Sequence, residues 1–571
     1  MNDFDREEIS TRSDDSEYLD FFPPYYRIGR TKYIIVTGGV MSGVGKGVFT
    51  ASLSSLLQHS GFSVSTIKID GYLNLDAGTL NPYRHGETFV LDDGTECDLD
   101  LGTYERFLDT TLNSLNYMTS GKIYSLILAK ERRGEYLGRD VQIVPHVTGE
   151  IKYLLRQKAQ EGPYDMVLVE VGGTVGDIEN LHFLEAAREM TIDEGRDNIM
   201  FAHVTMVPWS ETTGEQKSKP TQHSVKKLLE VGIQPDVMVC RSPQALQRKV
   251  CEKIGLHCNV PLDQVISSPD SESIYTLPHL FQKQRLTEIV TQRLRLNMPY
   301  PSGEKDTVPF ADFVEHVQRK NRQINIAVTG KYSSMRDSYI SITHALEHTE
   351  PAEQIKINMH FIDTTEFDDK GQAIQHALKG MDGIIVPGGY GIRGTEGMIR
   401  CVQYAREHQI PYLGLCLGFQ LATIEFARNV CHLEKAASTE FDVETPEPVI
   451  SLLPEQETIS EMGGTQRLGG HDVKLQPDSK VHDIYGADMV RERFRHRYEF
   501  NNLYKETLEE AGMVFSGTTP DQRIMQILEY PEHPFFIATQ FHPEWLSRPH
   551  KPHPLILAFV RAVVQHQATS I

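Results

Sequence analysis

Cys416 stands in Gly414-Leu-Cys-Leu-Gly418, a G-x-C-x-G segment after an apolar run and before an apolar-periodic stretch from Leu417 to Ala427. A strand-to-helix elbow of this form exposes its central residue as a nucleophile and lets the next backbone N–H help form an oxyanion hole. A thiol nucleophile needs a base. Phe536-Ile-Ala-Thr-Gln-Phe-His-Pro-Glu544 supplies His542 after a strand-like run, with Glu544 two residues on. In extended backbone residues i and i+2 share a side, so this spacing predicts that Glu544 orients the imidazole that deprotonates Cys416. A lone Cys or His is usually structural, whereas elbow, His and carboxylate together describe a nucleophilic triad. Gly388-Gly-Tyr-Gly-Ile-Arg-Gly394, after Ile384-Ile-Val-Pro387, offers a further backbone donor opposite Cys416 and reads equally well as a flexible loop.

A second chemistry is written near the other end. Thr37-Gly-Gly-Val-Met-Ser-Gly-Val-Gly-Lys-Gly47 lies between an apolar run and a helical stretch. Glycines let successive N–H groups converge on a phosphate, the helix N-terminus adds its positive end, and Lys46 adds a full charge. The segment departs from G-x-x-x-x-G-K-[ST], with Val40 in place of the first Gly and Gly47 in place of the hydroxyl. Mg2+ must then find other oxygens. Asp100, in Cys97-Asp-Leu-Asp-Leu-Gly102, and Glu170, near the end of Met166-Val-Leu-Val-Glu-Val171, are the candidates, since Mg2+ takes a few carboxylates beside nucleotide oxygens. A carboxylate inside an apolar strand is costly unless paired or metal-bound, which favours Glu170. Gly214-Glu-Gln-Lys-Ser-Lys-Pro-Thr-Gln-His-Ser224 concentrates lysines, hydroxyls and amides ahead of a helix expected from about Ser224. It suits a second anion such as another triphosphate, and by itself would read as a solvated loop.

Such residues need strand ends to stand on. Tyr33 to Thr37, Ser63 to Ile69, Met166 to Val171, Asn198 to Val207 and Asp236 to Cys240 are short apolar runs, several closed by Gly pairs, and a helix is expected from Gly45 to His59. Strands alternating with helices predict a doubly wound parallel α/β sheet with ligand sites at the carboxyl ends of its strands. After a polar, Pro-containing stretch near residue 300 the pattern resumes at Ile324 to Thr329, Gly383 to Gly389 and Pro411 to Cys416, predicting a second α/β domain. The expected organisation is an acidic, disordered extension over 1–30, a first domain over 31–296, a linker over 297–323 and a second domain over 324–571.

Composition sets the bounds. The chain has 571 residues, 39% of them hydrophobic, enough to bury sizeable cores. A net charge of -21 argues against broad attraction to nucleic acid or to anionic membrane, though local donor nests still admit anionic small molecules. Seven cysteines without a CxxC pair do not make a disulfide framework, no apolar run reaches membrane-spanning length, and the leader lacks a signal peptide's basic and apolar regions, so a cytoplasmic protein is expected. The first 20 residues carry eight carboxylates against two arginines.

From about Lys32 to Leu557 the sequence resembles the CTP synthase family, the glutamine-dependent UTP amidotransferases. The resemblance rests on the phosphate loop, the triad, and the stretches Gly86-Glu-Thr-Phe-Val-Leu-Asp-Asp-Gly94, Asp98-Leu-Asp-Leu-Gly-Thr-Tyr-Glu-Arg-Phe107, Lys130-Glu-Arg-Arg-Gly-Glu-Tyr-Leu-Gly138, Gly172-Gly-Thr-Val-Gly-Asp-Ile-Glu179, Lys217 to Gln222 and Arg495-His-Arg-Tyr-Glu499. It implies a phosphate-loop synthase domain followed by a class I glutamine amidotransferase domain. ATP would sit on Gly43, Val44, Gly45, Lys46, Gly47 and Val48, with Asp100 and Glu170 on Mg2+ and Lys46 and Lys68 neutralising the transferred phosphoryl. UTP, or CTP as inhibitor, would be held by Ser42, Asp177, Ile178, Glu179, Lys217, Ser218, Lys219, Pro220, Thr221, Gln222 and Lys253. Glutamine would be held by Gly389, Leu417, Gly418, Phe419, Gln420, Glu440 and Arg497, with Gly389 and Leu417 forming the oxyanion hole. Ammonia would pass Pro82 and His85. GTP as activator and a filament-forming homotetramer also belong to what the resemblance implies.

Some positions depart from the family pattern. Gly71 replaces a usual proline, which would loosen the loop near the ammonia exit, and Pro269-Asp270-Ser271 lacks the bacterial lysine, so adenine contacts are not expected there. Two other readings are open at this level: a phosphate-loop amidotransferase acting on a carboxylate, and a non-enzymatic paralogue kept as a filament subunit. The second would require the loss of a catalytic group, and Lys46, Asp100, Glu170, Cys416, His542 and Glu544 are all present.

Overall fold

The computed structural model describes residues 21–298, 309–319, 322–333, 335–367, 371–452, 464 and 466–570. The acidic segment 1–20 and positions 299–308 of the expected linker lie outside them. The first sheet consists of β1 (Lys32–Gly38), β2 (Val64–Asp70), β3 (Tyr117–Thr119), β4 (Met166–Val171), β5 (Ile199–Met206), β6 (Val237–Ser242) and β7 (Val265–Pro269), all parallel, in the order β7-β6-β5-β1-β4-β2-β3. Both faces are covered, so the inner strands read as continuous apolar runs rather than alternating ones. Tyr33 and Ile35 enter one core while Ile34 and Val36 pack on Phe49, Leu53 and Leu56 of α1 (Lys46–His59).

The second sheet holds β8 (Arg322–Gly330), β9 (Ile355–Asp363), β10 (Gly383–Val386), β11 (Tyr412–Leu415), β12 (Arg467–Leu475), β13 (Met489–His496), β14 (Val514–Thr518), β15 (Met525–Glu529) and β16 (Phe536–Thr539), in the order β9-β8-β10-β11-β16-β15-β14-β12-β13. The five strands from β9 to β16 are parallel, and the remaining pairs are antiparallel. Ile384 and Val386 face one core and Ile385 the other, again with helices on each side.

Two expectations change. The helix expected from about Ser224 begins at Lys219 and runs to Glu230, because Pro220 sits in its first turn, where its missing N–H has no helical partner to lose. Residues 21–30, expected to be part of a disordered extension, dock on the first half instead. The Arg156 guanidinium, on the helix Thr148–Glu161, lies 3.7 Å over the Phe22 ring and donates to Phe21 O at 3.1 Å. The Tyr26 hydroxyl pairs with Tyr33 at 2.8 Å and with Glu194 at 3.0 Å. The stretch is aromatic, unlike the acidic residues before it, and its rings pack on a buried cation.

The two halves are pinned by buried ion pairs. Glu105, on α2 (Leu99–Leu108), accepts from Arg493 on β13 at 2.8 and 3.0 Å and from Arg548 at 2.8 Å. Arg495, two residues further on β13, donates to Glu96 at 2.7 Å. Removing one member of such a set strands a charge in low dielectric, which makes the arrangement geometrically strict.

Candidate active sites

Cys416 falls between β11 and α3 (Leu417–Asn429) with φ 52° and ψ -97°, a conformation costing roughly 1–3 kcal/mol for a non-glycine residue. The flanking glycines answer to close approach: a Cβ on Gly414 would lie 2.8 Å from Gly418 O, and one on Gly418 would run into Val386 O. The thiol is 3.5 Å from Arg495 O and 3.6 Å from the Gln540 side-chain amide, and it meets the His542 imidazole. His542 Nδ1 pairs with Glu544 Oε1 at 2.7 Å. The expected partnership is present but its backbone is not extended: Pro543–Trp545 form a single 3-10 turn with His542 at its start, and the turn brings residue i+2 back onto the ring. Burial alone would lower the imidazole's pKa, but the Glu544 carboxylate and then the Cys416 sulfur raise it to about 10. The arrangement favours a charged imidazole beside the thiol, the pairing that nucleophilic catalysis by a cysteine requires.

A cavity of about 450 Å³ opens in front of Cys416, its walls drawn from both halves: Gly78, Leu80, Pro82, Glu87 and Thr88 from the first, Gly389, Tyr390, Glu440, Arg497 and His542 from the second. Glu440 accepts from the Gly391 N–H at 2.6 Å, and burial raises its pKa. Gly389 and Arg497 thus share the cavity with Cys416 as expected. Leu417, Gly418, Phe419 and Gln420 form the first turn of α3 behind the Cys416 thiol rather than the cavity wall. The Gln420 amide donates to Tyr498 O at 3.1 Å. Pro82 lines the cavity, whereas His85 is exposed and packs edge-on to Tyr72.

The phosphate loop leaves the carboxyl end of β1, beside the change in strand order, and feeds α1. Val40, Gly43 and Gly45 have φ of 77°, 68° and 99°, turning successive N–H groups to one side. Lys46 donates to Gly173 O at 2.7 Å and is buried, which lowers its pKa. A Cβ on Gly47 would fall on the Asp100 carboxylate. The hydroxyl missing from the loop is therefore replaced in space by a carboxylate from α2. Lys68 contacts Asp100 and stands 3.3 Å from Asp98 and 3.7 Å from both Asp70 and Glu170. Burial would raise Asp100's pKa, but the Lys68 ammonium holds it below the usual carboxylate range. Burial and then the Asp100 charge push Glu170 up to about 7. These oxygens are the hard donors Mg2+ takes, so Asp100 and Glu170 fit the ion.

The remaining nucleotide candidates divide. Ser42, Asp177, Ile178, Glu179, Lys219 and Lys253 are exposed, with Asp177 accepting the Thr174 N–H at 2.9 Å. Lys217 pairs with Glu215. Ser218, Thr221 and Gln222 are buried, Thr221 donating to Met206 O at 3.2 Å and Gln222 to Ser218 at 3.0 Å, so they fasten the start of the helix Lys219–Glu230 to β5. Asp270 and Ser271, where adenine contacts were not expected, line a cavity of about 230 Å³ with Val44, Gly45, Val48 and Phe49. Arg241 clasps its rim, donating to Asp270 at 2.9 Å and to Gly43 O at 3.0 Å. Gly71 backs directly onto Glu179 and Asn180, leaving no room for a side chain.

Several site residues were given no role from sequence: Glu87, Tyr390, Arg495, Gln540 and Trp545. Glu87 and Arg495 lie in stretches that carried the family resemblance, but their partners are hundreds of residues away and leave no local signature.

Two family models match the chain, "CTP synthase N-terminus" over residues 32–296 and "Glutamine amidotransferase class-I" over 334–562. The chain is similar to a CTP synthase of Caldanaerobacter subterraneus at 51% identity, covering 93% of this chain and 98% of that protein. The same identity and coverage hold for a CTP synthase of Thermococcus gammatolerans. A CTP synthase of Picosynechococcus is 48% identical over 95% of this chain and 97% of its own. Among solved structures, the glutaminase domain of Trypanosoma brucei CTPS with bound acivicin matches 42% of this chain and 94% of its own, at 37% identity and a TM-score of 0.40.

Proposed function

The chain belongs to the CTP synthase family, glutamine-hydrolysing ligases, and from that premise we propose how its own residues divide the work. A synthase domain over 31–296 activates UTP, and a glutaminase domain over 324–571, reached through a linker over 297–323, supplies the nitrogen. The observation that carries this reading is the cavity before Cys416, which both halves wall.

Cys416 attacks the glutamine amide carbon. Gly389 and Leu417 N–H groups stabilise the oxyanion, His542 gives its proton to the departing ammonia, and water then releases glutamate from the thioester. Glu440 suits the substrate's ammonium and Arg497 its carboxylate. Ammonia leaves past Pro82 toward the first half. There, loop N–H groups from Gly43 to Val48 cradle ATP phosphates, the cavity by Asp270 and Ser271 accepts adenine, and Lys46 and Lys68 neutralise charge on the phosphoryl passing to the 4-oxygen of UTP. Asp100 and Glu170 would hold Mg2+, which when bound adds neutralisation of the phosphate oxygens. Ser42, Asp177 to Glu179, Lys217 to Gln222 and Lys253 serve the pyrimidine nucleotide, the buried ones by shaping its wall. GTP activation fits Arg393, which reaches from the Gly388–Gly394 loop to the Tyr83 hydroxyl at 2.6 Å. CTP inhibition, a filament-forming homotetramer and a cytoplasmic location complete the reading. Among the described residues no helix is long and apolar enough to cross a membrane.

The test is incubation with UTP, ATP and Mg2+ plus glutamine or ammonium, following CTP by chromatography. Cys416→Ala should lose the glutamine reaction and keep the ammonium one. Loss of both, or of neither, breaks the two-site account.

A further inference from the structure

The catalytic histidine belongs to the second half, yet the first half holds it in place. The His542 imidazole lies flat on the Trp545 indole, ring centroids 4.0 Å apart and planes 10° from parallel. The same indole donates its Nε1–H to Glu87 Oε1 at 3.1 Å. Glu87 is anchored independently of that bond: its own N–H donates to Asp337 O at 2.9 Å, and its carboxylate accepts the Ser341 N–H at 3.0 Å and the Ser341 hydroxyl. Arg106 of α2 donates to that hydroxyl as well. Both Glu87 and Trp545 line the cavity in front of Cys416.

An indole has one donor, and burying it without an acceptor is costly, so the Glu87 bond fixes the tilt of the ring. The ring in turn fixes the plane of the imidazole stacked on it. That plane must point one nitrogen at Glu544 and the other at Cys416, and a charged imidazolium gains further from an aromatic face. We propose that Glu87 and Trp545 are positioning residues of the glutaminase centre, so that the synthase half completes the setting of His542. The proposal rests on the triad assignment above. The plainer alternative is that Trp545 merely fills space between the halves.

The full chain distinguishes these. Trp545→Phe keeps a ring under the imidazole and removes the N–H, Glu87→Leu removes the acceptor, and Glu87→Gln keeps an acceptor oxygen. For Trp545→Phe and Glu87→Leu, kcat for glutamine hydrolysis should fall about tenfold, KM for glutamine should stay within about twofold, and the alkaline limb of the pH profile should move down, as expected for loss of a bond to a charged group. Glu87→Gln should recover most of the loss. CTP formation by Trp545→Phe from ammonium should match the unmodified protein. Unchanged kcat and pH limb in Trp545→Phe overturn the proposal. So does an equal fall with glutamine and ammonium, which would mark a packing role, and so does Glu87→Gln falling as far as Trp545→Phe. Should Glu87→Leu not fold, the other two variants still decide. Failure of the underlying assignment would appear separately, as glutamine hydrolysis surviving Cys416→Ala.

Discussion

The phosphate-loop centre and the Cys416 centre both stand at carboxyl ends of parallel strands, yet they store their chemistry differently. Around Lys68 gather Asp70, Asp98, Asp100 and Glu170, of which burial raises the pKa of Asp98 and Glu170, under a loop whose Ser42 and Gly43 are open to solvent. On the proposed function that centre is a balance of charges which cations and phosphates would complete. The triad is buried, with the His542–Glu544 bond at 2.7 Å and a nucleophile already in a strained backbone conformation. On the same reading its geometry is assembled ahead of any substrate, which is how preorganised sites avoid reorganisation during reaction. Deleting charge should therefore disable the first centre and altering orientation the second.

The largest effect is expected for Lys46→Ala. Loss of the charge facing the phosphates should cut CTP formation on the order of a thousandfold with glutamine and ammonium alike. Normal output with either nitrogen source, read by chromatography, would remove Lys46 from the phosphoryl site. Next is Gly47→Ser, which restores the hydroxyl of the ordinary phosphate loop. Because that side chain would land on Asp100, activity should drop roughly a hundredfold, as misplacements of about 1 Å commonly cause, rather than improve. A gain would mean that Asp100 has not taken over the position of the hydroxyl.

Glu544→Gln probes the other centre through pH. In the unmodified protein the His542 pKa is raised from 6.5 to about 10, so its contribution to stability is fully present below 6.5 and lost as pH rises through about 10. Replacing the carboxylate leaves burial pulling the pKa down, with only the Cys416 sulfur opposing. The alkaline limb of kcat/KM for glutamine hydrolysis should retreat toward 6.5 and the thermal stability advantage over the same window should shrink, while ammonium-dependent synthesis keeps its pH profile. An unmoved limb would assign the titration to another group.

How much of this was legible in sequence depends on whether the controlling contacts are local. Tyr33 to Thr37 and Met166 to Val171 read correctly as strands because a sheet covered on both faces needs unbroken apolar runs. The elbow and the phosphate loop were readable because glycines mark where backbone must turn or pass closely. The edge strand Tyr117–Thr119 is too short to show a period. The antiparallel strands β12 and β13 carry Arg467, His471, Lys474, Arg491, Arg493 and Arg495, which look like a solvated edge. Three of those charges, on Arg491, Arg493 and Arg495, are in fact spent on Asp92, Glu105 and Glu96 of the other half, and no neighbouring residue announces it. His542 and Glu544 were paired correctly by spacing, but through a 3-10 turn rather than a strand, since Pro543 starts a turn where an extended chain was expected.

The smallest effect is expected away from both centres, where residues 21–30 dock. Phe22 lies 3.7 Å beneath the Arg156 guanidinium, which also binds Glu194 at 2.8 Å and Asp193 at 2.9 Å. Arg156 keeps those carboxylates whatever happens to the ring, so Phe22→Ala removes the cation–π contact, the ring contact with Tyr26 and some buried apolar surface, together about 1–2 kcal/mol. The denaturant midpoint should fall slightly and protease should release the N-terminal segment faster. CTP formation from both nitrogen sources should be unchanged, because the strap touches neither the loop nor the triad. A fall in CTP formation from ammonium would instead tie the strap to the parallel sheet that carries Lys68 and leads through the phosphate loop to Lys46, and the contrast between a charge-balanced centre and a preassembled one would have to include how firmly that sheet is held.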